Sequence, residues 1–361
     1  MMRILVFNPE HDIALASNLD HFTPPHAARN LRRDLSFLPA LWAGENDYVL
    51  VDDVDAAWNG FRKTGIIKNC NFIVTSELNT ISSSNSLIVF EPWGWDSAIR
   101  KNLIQAGVQS SLLPDDTHLN MIRQTSHRAW AAEHLLRPLR QMVNSVGLSE
   151  TAHSMAEVRR FLAVHHQMVL KAPWSCSGRG IRYVSDGFDN GFVSSFGLTK
   201  QMEGWVNNVL AQQGCIMMEP YYNKVSDFGM EFFSDGHGHV RYCGLSVFKT
   251  INGFYAGNMI EDEPAKEQEL RKYISLSVLE AVRQDIIKLL SVELGQKYEG
   301  PFGIDMMLVN KDSTIVLHPC VELNLRMTMG HVALHLSQVE QRQRKLMRMI
   351  YSGGKYKLEL Y

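Results

Sequence analysis

Four short apolar runs, RILVF, DYVLVDD, NFIVT and SLIVF, punctuate the first third of the chain. Between them the apolar spacing changes to that of amphipathic helices, as in PHAARNLRRDLSFLPALW and DSAIRKNLIQAG. Strands alternating with helices predict a parallel sheet covered by helices, here over residues 1–115. Over 116–214 the pattern is mixed. Helical stretches NMIRQTSHRAWAAEHLL and SMAEVRRFLAVHH precede the strand-like MVLKAPWSCSGRGIRYV, and TKQMEGWVNNVLAQQ follows it. Over 215–361 the strands are spaced as hairpins. CIMMEPYY comes first, then DFGMEFF and HVRYCGLSVFK joined by the turn signal DGHG, then GPFGIDMMLVN and TIVLHPCVELNLR joined by KDS. Antiparallel strands with the helices of EQELRKYISLSVLEAVRQDIIKLLSVEL on one side describe an α+β lobe. No internal repeat or low-complexity tract interrupts these three regimes.

With 361 residues, 45% of them hydrophobic, the chain can bury a sizeable core in two or three lobes. A net charge of -2, from 36 basic and 38 acidic residues, gives no electrostatic reason to expect nucleic acid or an anionic membrane as partner, and points to small molecules. The five cysteines are widely spaced and never form C-x-x-C, which argues against a disulfide framework or zinc finger and fits a reducing, cytoplasmic setting. No segment approaches the ~20 continuous apolar residues of a membrane span, and the opening MMRILVFNPEHD has too short an apolar run for a signal peptide.

The stretch MVLKAPWSCSGRGIRYV (168–184) places a lysine, Lys171, before a turn rich in Ser and Gly. It is not a P-loop, because Gly180 is followed by Ile181 and not by Lys and Ser or Thr. Two readings fit: an ordinary polar hairpin, or a flap whose backbone N–H groups close over a polyphosphate. A partner for such a flap lies downstream. Asp305 sits in the otherwise apolar GPFGIDMMLV, and Glu322, Asn324 and Arg326 occupy alternate positions of VELNLR, which places them on one face of a strand. Two acids and an amide on neighbouring strands suit Mg²⁺, which takes one to three protein oxygens along with phosphate and water. A solvated face with paired charges is the alternative for such a triplet alone; the apolar opposite face (Val321, Leu323, Leu325) and the upstream flap motif favour a metal and nucleotide site.

In order as well as in parts, these motifs resemble the ATP-grasp superfamily: an α/β domain, a flap lobe with KAPWSCSGRG, a hinge strand like IMMEPYY, and the acid set of GIDMMLV with VELNLR. The resemblance covers roughly 128–331. It implies an N-terminal parallel α/β domain followed by a two-lobed ATP-grasp fold, ATP with Mg²⁺ (or Mn²⁺) as cofactors, and ligation of a carboxylate to an amine through an acyl-phosphate intermediate. Carried over by position, Lys171 and Arg128 would hold phosphate, and the backbone of 175–180, with Ser175, Ser177, Gly178 and Gly180, would fold over the phosphate tail. Glu219, Pro220 and Tyr221 would read adenine, and Asp227, with Glu231 as rival, would take the ribose hydroxyls. Asp305, Glu322 and Asn324 would hold magnesium, and Arg326 would stabilise the transferring phosphoryl group; Lys249, on LSVFKTI, could reach the same cleft or simply be an exposed strand lysine. One departure from the family stands out: the position two before the metal-binding Asp, often basic, is Gly303.

The substrates, a small carboxylate and an amine, are expected where the N-terminal lobe meets this cleft. The candidate loops are NPEHD (8–12) and EPWGWD (91–96), because ligands of α/β sheets collect beyond the carboxyl ends of the strands. Asp12 and Asp96 are equally well placed as helix N-caps, and Trp93 and Trp95 as interface packing. Cys176 reads as a small flap residue and not a nucleophile, since no His lies at a motif-like spacing. The arginines of RNLRRD and the tail QRQRKLMR read as solvated helix faces. An ATP-dependent kinase on the same scaffold and a nucleotide-binding module without turnover remain as alternatives, and a homodimer is compatible with all three.

Overall fold

The computed structural model describes residues 2–84, 87–142, 145–175, 178, 180–186, 197–251, 254–339 and 345–361. The first four apolar runs form β1 (Met2–Val6), β2 (Tyr48–Leu50), β3 (Asn71–Ile73) and β4 (Ile88–Pro92), all parallel, in the order β3-β2-β1-β4. Residues Ile4 and Val6 of β1 face one layer of helices with Ile99 and Leu103. Leu5 and Phe7 face the other with Leu35, Leu38 and Phe61. Alternate residues of one strand thus serve two cores, the arrangement required of a parallel sheet buried on both faces.

Four strands of the second lobe, β5 (Glu150–Ala152), β6 (Gln167–Lys171), β7 (Ile181–Ser185) and β8 (Ile216–Pro220), pair antiparallel in the order β5-β8-β6-β7. Two capped helices cover them. Ser154 starts Met155–His165 with a reciprocal capping box to Glu157, and the Thr199 hydroxyl accepts from Met202 N at the start of Lys200–Gln213. The stretch read from sequence as one helix, NMIRQTSHRAWAAEHLL, is broken. Asp116–Thr125 ends at Ser126, and His127 caps a new turn at Arg128–Ala131 by accepting from Ala129 N. That break places Arg128 in the first turn of a fresh helix, aimed back across the flap lobe.

The remaining strands are β9 (Lys224–Asp235), β10 (Val240–Ile251), β11 (Phe254–Met259), β12 (Glu299–Lys311), β13 (Thr314–Asn324), β14 (Leu346–Ser352) and β15 (Lys355–Leu360). They form an antiparallel sheet ordered β13-β12-β9-β10-β11-β14-β15. The DGHG and KDS turns connect the strand pairs anticipated for them, and Asp312 and Ser313 take positive φ in the latter. Helix Leu276–Glu293 buries Leu279, Val282, Ile286 and Leu290 against Phe228, Phe232, Phe302 and Leu323 of this sheet. The tail differs from the helix expected of QRQRKLMR: Leu346, Met347 and Arg348 open β14, because fully buried Met347 joins Val332, Leu336 and Leu358 in a core only a sheet edge can supply; residues 341–344 lie outside the described residues. The parallel sheet, the four-stranded antiparallel sheet and the larger antiparallel sheet thus follow one another along the chain, an α/β part and then two antiparallel sheets, in the order expected from the sequence.

No helix among the described residues is long and apolar enough to cross a membrane.

Candidate active site

The hairpin that carries Lys171 is tied to the acid strand by Arg128, which reaches Ala172 and Ser175 on one side and Glu322 on the other. Lys171 is the last paired residue of β6, opposite Ile181, and the backbone closes behind it through Ala172 N to Gly180 O at 2.9 Å. The segment is therefore a β-hairpin, as both readings of its sequence required. Gly178 has φ of 73°, left-handed backbone that favours glycine, and a Cβ on Gly180 would run into the Ser175 side chain. Cys176, Ser177 and Arg179 lie outside the described residues. Gly178→Val is expected to slow turnover severalfold with little loss of thermal stability, since it strains only the turn; full activity would show that this backbone conformation is dispensable.

Lys171 is buried, and its Nζ lies 2.6 Å from Glu219 Oε2. Glu219 Oε1 accepts from Ser149 at 3.2 Å. Arg128, also buried, ties the root of the hairpin to the acid strand: Nη1 donates to Ala172 O at 2.5 Å and to Ser175 Oγ at 2.8 Å, while Nη2 donates to Glu322 Oε1 at 2.6 Å. Pro220 and Tyr221, with Met168, Tyr183 and Asn310, line a cavity of about 870 Å³ at the end of β8; Lys171, Asp305 and Glu322 are not among its walls.

Asp305 and Glu322 are direct cross-strand partners on β12 and β13, and Asn324 Nδ2 donates to Asp305 Oδ2 at 3.1 Å. Opposite Asp305 on the other neighbouring strand is Gly229, where a Cβ would press on Ile304 O and approach an Asp305 oxygen. Burial, with Glu322 and then Glu231 adding negative charge, pushes the Asp305 carboxyl up to about 8. No cluster of three or more His, Cys, Asp and Glu occurs among the described residues. The set is two carboxylates and an amide, with space kept open by a glycine and negative charge that a divalent cation would relieve. It therefore fits magnesium completed by phosphate and water oxygens.

Arg326 lies just beyond the end of β13. Its Nη2 donates to Asn324 Oδ1 at 2.9 Å and to Asp12 Oδ2 at 2.7 Å, and its Nε to Asp12 Oδ1 at 3.0 Å. Burial opposes the Asp12 charge, yet the adjacent guanidinium holds that carboxyl below its usual range. Asp12 is thus no helix cap; Glu10 precedes its helix, His11–Ser17. Asp96 does cap helix Ser97–Gln105, accepting from Ile99 N at 2.9 Å, and its second oxygen lies 3.1 Å from His11 Nδ1. Asn8 joins the two candidate loops, donating to Gly94 O at 2.8 Å, and Met327 N donates to Trp93 O at 2.8 Å. Trp93 packs edge-on to Phe7 at 5.0 Å in a core that also holds Val332 and Leu336, so its side chain is interface packing while its carbonyl anchors the strand end that carries Arg326. The loops after β1 and β4 therefore meet the acid strand, as strand-end loops of α/β sheets do.

The other expected residues are placed less centrally. Asp227 is partly buried and pairs with Lys224 Nζ at 2.6 Å and Thr250 Oγ1 at 2.5 Å. Its rival, Glu231, is committed elsewhere: buried, it accepts from Thr328 Oγ1 at 2.8 Å and lies 3.0 Å from His331 Nδ1, under Gly330, where a Cβ would collide with it. Lys249 is exposed on β10, opposite Gly257 of β11, which matches the exposed strand lysine of its two readings. Arg32, grouped with solvated arginines from sequence, instead reaches buried Glu10 at 2.8 Å. Asp12 was signalled only by its place in the strand-end candidate NPEHD, and Arg32, inside helix His26–Leu35, left no signal at all.

No family model matches the chain, and no curated protein matches it in sequence. Among solved structures it is similar to N5-carboxyaminoimidazole synthetase from Staphylococcus aureus complexed with ADP, at 11% identity and TM-score 0.46, covering 97% of this chain and 82% of that one. It is also similar to biotin carboxylase from Campylobacter jejuni, at 14% identity and TM-score 0.48, covering 99% and 73%. A third is D-cycloserine synthetase, at 14% identity and TM-score 0.47, covering 94% and 98%. At such identities the chemistry of the site rests on this chain's own residues.

Proposed function

We propose that this protein is an ATP- and Mg²⁺-dependent ligase that joins a carboxylate to an amine through an acyl-phosphate. The observation that carries the reading is the meeting of the Asp305, Glu322 and Asn324 set with Arg326, which is itself held by Asp12 from the N-terminal domain. Phosphoryl and acyl transfer need positioning and charge neutralisation more than a protein nucleophile, and this cleft offers cations, oxygen ligands and a contact to a second domain. Asp305, Glu322 and Asn324 would hold the metal, whose chemistry is to neutralise phosphate oxygens. Lys171 and Arg128 would bind phosphate, with Arg128 exchanging its bond to Glu322 for one to the nucleotide. Pro220 and Tyr221 would border the base in the cavity beside the hinge, and Asp227 would accept from the ribose hydroxyls. Arg326 would meet the charge that develops on the transferring group.

An ADP-release screen against pooled amino acids and small carboxylates, each with and without amines, tests this reading. ADP formation that requires both a carboxylate and an amine is expected. ADP formed with a lone hydroxyl acceptor would make the protein a kinase, and none with any pool would make it a binding module.

Nucleotide binding has its own test in the buried pair Lys171–Glu219. Lys171→Met strands a buried carboxylate, which costs about 3 kcal/mol of stability, while Lys171→Met with Glu219→Gln is expected to recover most of that loss. Neither variant should bind ATP within tenfold of the parent, because charge-assisted bonds worth about 1.5 to 3 kcal/mol are gone from both. Recovered affinity in the double variant, read by calorimetry, would show Lys171 to be purely structural.

A further inference from the structure

A second cavity, of about 200 Å³, opens beside the loop after β1, walled by Asn8, Glu10, Phe22, Arg32, Asp96 and Ile99 among others. One ion pair lies in that wall, and each of its partners has an atom to spare. Glu10 is 6% exposed; its Oε1 accepts from Arg32 Nη1 at 2.8 Å, while its Oε2 is buried without a partner, as is Arg32 Nε. A buried polar group left unsatisfied is destabilising, so an unpartnered acceptor and an unpartnered cationic donor in one cavity wall form a dipolar pair short of its complement. The other acid of the wall is not available: Asp96 is engaged by Ile99 N, Asn8 Nδ2 and His11 Nδ1. Glu10 and Arg32 thus set an acceptor and a cationic donor side by side, each with one unpartnered atom, which matches a molecule that carries both an ammonium and a carboxylate. Phe22, Ala14 and Ile99 supply an apolar flank for a short side chain.

We infer that this cavity binds a small α-amino acid, with its ammonium on Glu10 and its carboxylate on Arg32, and that this is the amine substrate. The assignment as substrate rests on the ligase reading above. Glu10 caps the short helix His11–Ser17 whose second residue, Asp12, holds Arg326 at the end of the acid strand, so one helix start carries both the proposed amine contact and the contact to the proposed phosphoryl site. In the ligation the amine nitrogen forms the C–N bond as the acyl C–O bond to phosphate breaks. Inorganic phosphate leaves with that electron pair, and the two protons lost by the ammonium pass to solvent.

The test is titration calorimetry of the full chain, without ATP, using glycine, L-alanine, methylamine and acetate. Glycine or L-alanine is expected to bind at least tenfold more tightly than methylamine or acetate, and Glu10→Gln to weaken it at least tenfold with ATP affinity unchanged. Thr23→Trp, at an exposed wall position, should block the same cavity without touching the core. No amino-acid binding, equal binding of methylamine or acetate, or undiminished binding in both variants would each overturn the inference. The two readings fail separately: amino-acid binding without ADP release in the screen leaves this site and removes the ligase, whereas amine-dependent ADP release with a parental KM in Glu10→Gln does the reverse.

Discussion

Glu322→Gln is expected to lower ATP turnover by two or more orders of magnitude while the fold and adenosine binding survive. The substitution keeps shape and leaves an amide oxygen for Arg128 Nη2, the 2.6 Å partner of Glu322, but removes one negative charge from the Asp305, Glu322 and Asn324 set. Under the proposed reading, loss of that charge would loosen a metal whose contribution grows as charge moves onto the transferring phosphoryl group, so the deficit should appear in kcat and not in recognition of a base beside Pro220 and Tyr221. The competing explanation is a structural ion pair between Arg128 and Glu322. The Glu322 side chain is 26% exposed, and a pair with one partly exposed partner contributes about 0–1 kcal/mol. Under that explanation the variant would lose a little stability and no activity. Thermal unfolding and ADP release measured on the same preparation separate the two, and unimpaired turnover removes the metal assignment.

The elements of this chain that were legible in sequence are those decided locally. Apolar runs alternating with helical patterns set the strands β1 to β4, SMAEVRRFLAVHH and TKQMEGWVNNVLAQQ marked two helices, and the DGHG and KDS turns marked the hairpins. The acid set was legible too, because alternate positions of one strand share a face and Asp305 stood alone among apolar neighbours. What the sequence hid are contacts across hundreds of residues. Asp12 meets Arg326 across 314 positions and Arg128 meets Glu322 across 194, and neither pairing leaves a periodic trace. The same blindness left Glu231 open as a ribose ligand, although Thr328 and His331 occupy it from a helix and loop that follow the last strand of the site. It also read the tail as a helix, because the burial of Met347 depends on a sheet edge assembled from β10 and β11. Lys249 shows the opposite case: a strand lysine whose spacing fits a cleft as well as it fits solvent, and which sits exposed.

Arg326→Lys tests the joint between the N-terminal domain and the proposed phosphoryl site. The guanidinium donates through Nε and Nη2 to both Asp12 oxygens and through Nη2 to Asn324, a fork that a lysine ammonium cannot reproduce from one point. Charge is conserved, so electrostatic attraction for ATP should change little. The fixed direction of that charge is lost, and a preorganised donor aimed at developing charge contributes roughly 2.7 to 4 kcal/mol to the transition state. A fall in kcat of about a hundredfold with a nearly parental KM for ATP is therefore expected. Asp12→Asn, which leaves Arg326 in place but takes away the carboxylate that orients it, should cost less. Because both changes act on one fork, their effects should not add: combined with Arg326→Lys, Asp12→Asn is expected to reduce kcat by little more than Arg326→Lys alone, a coupling of ~1 kcal/mol or more in a double-mutant cycle. If the pair only clasps two domains, the cycle will show its coupling in unfolding free energy while kcat of all three variants stays parental, and Arg326 will then have no place in the chemistry.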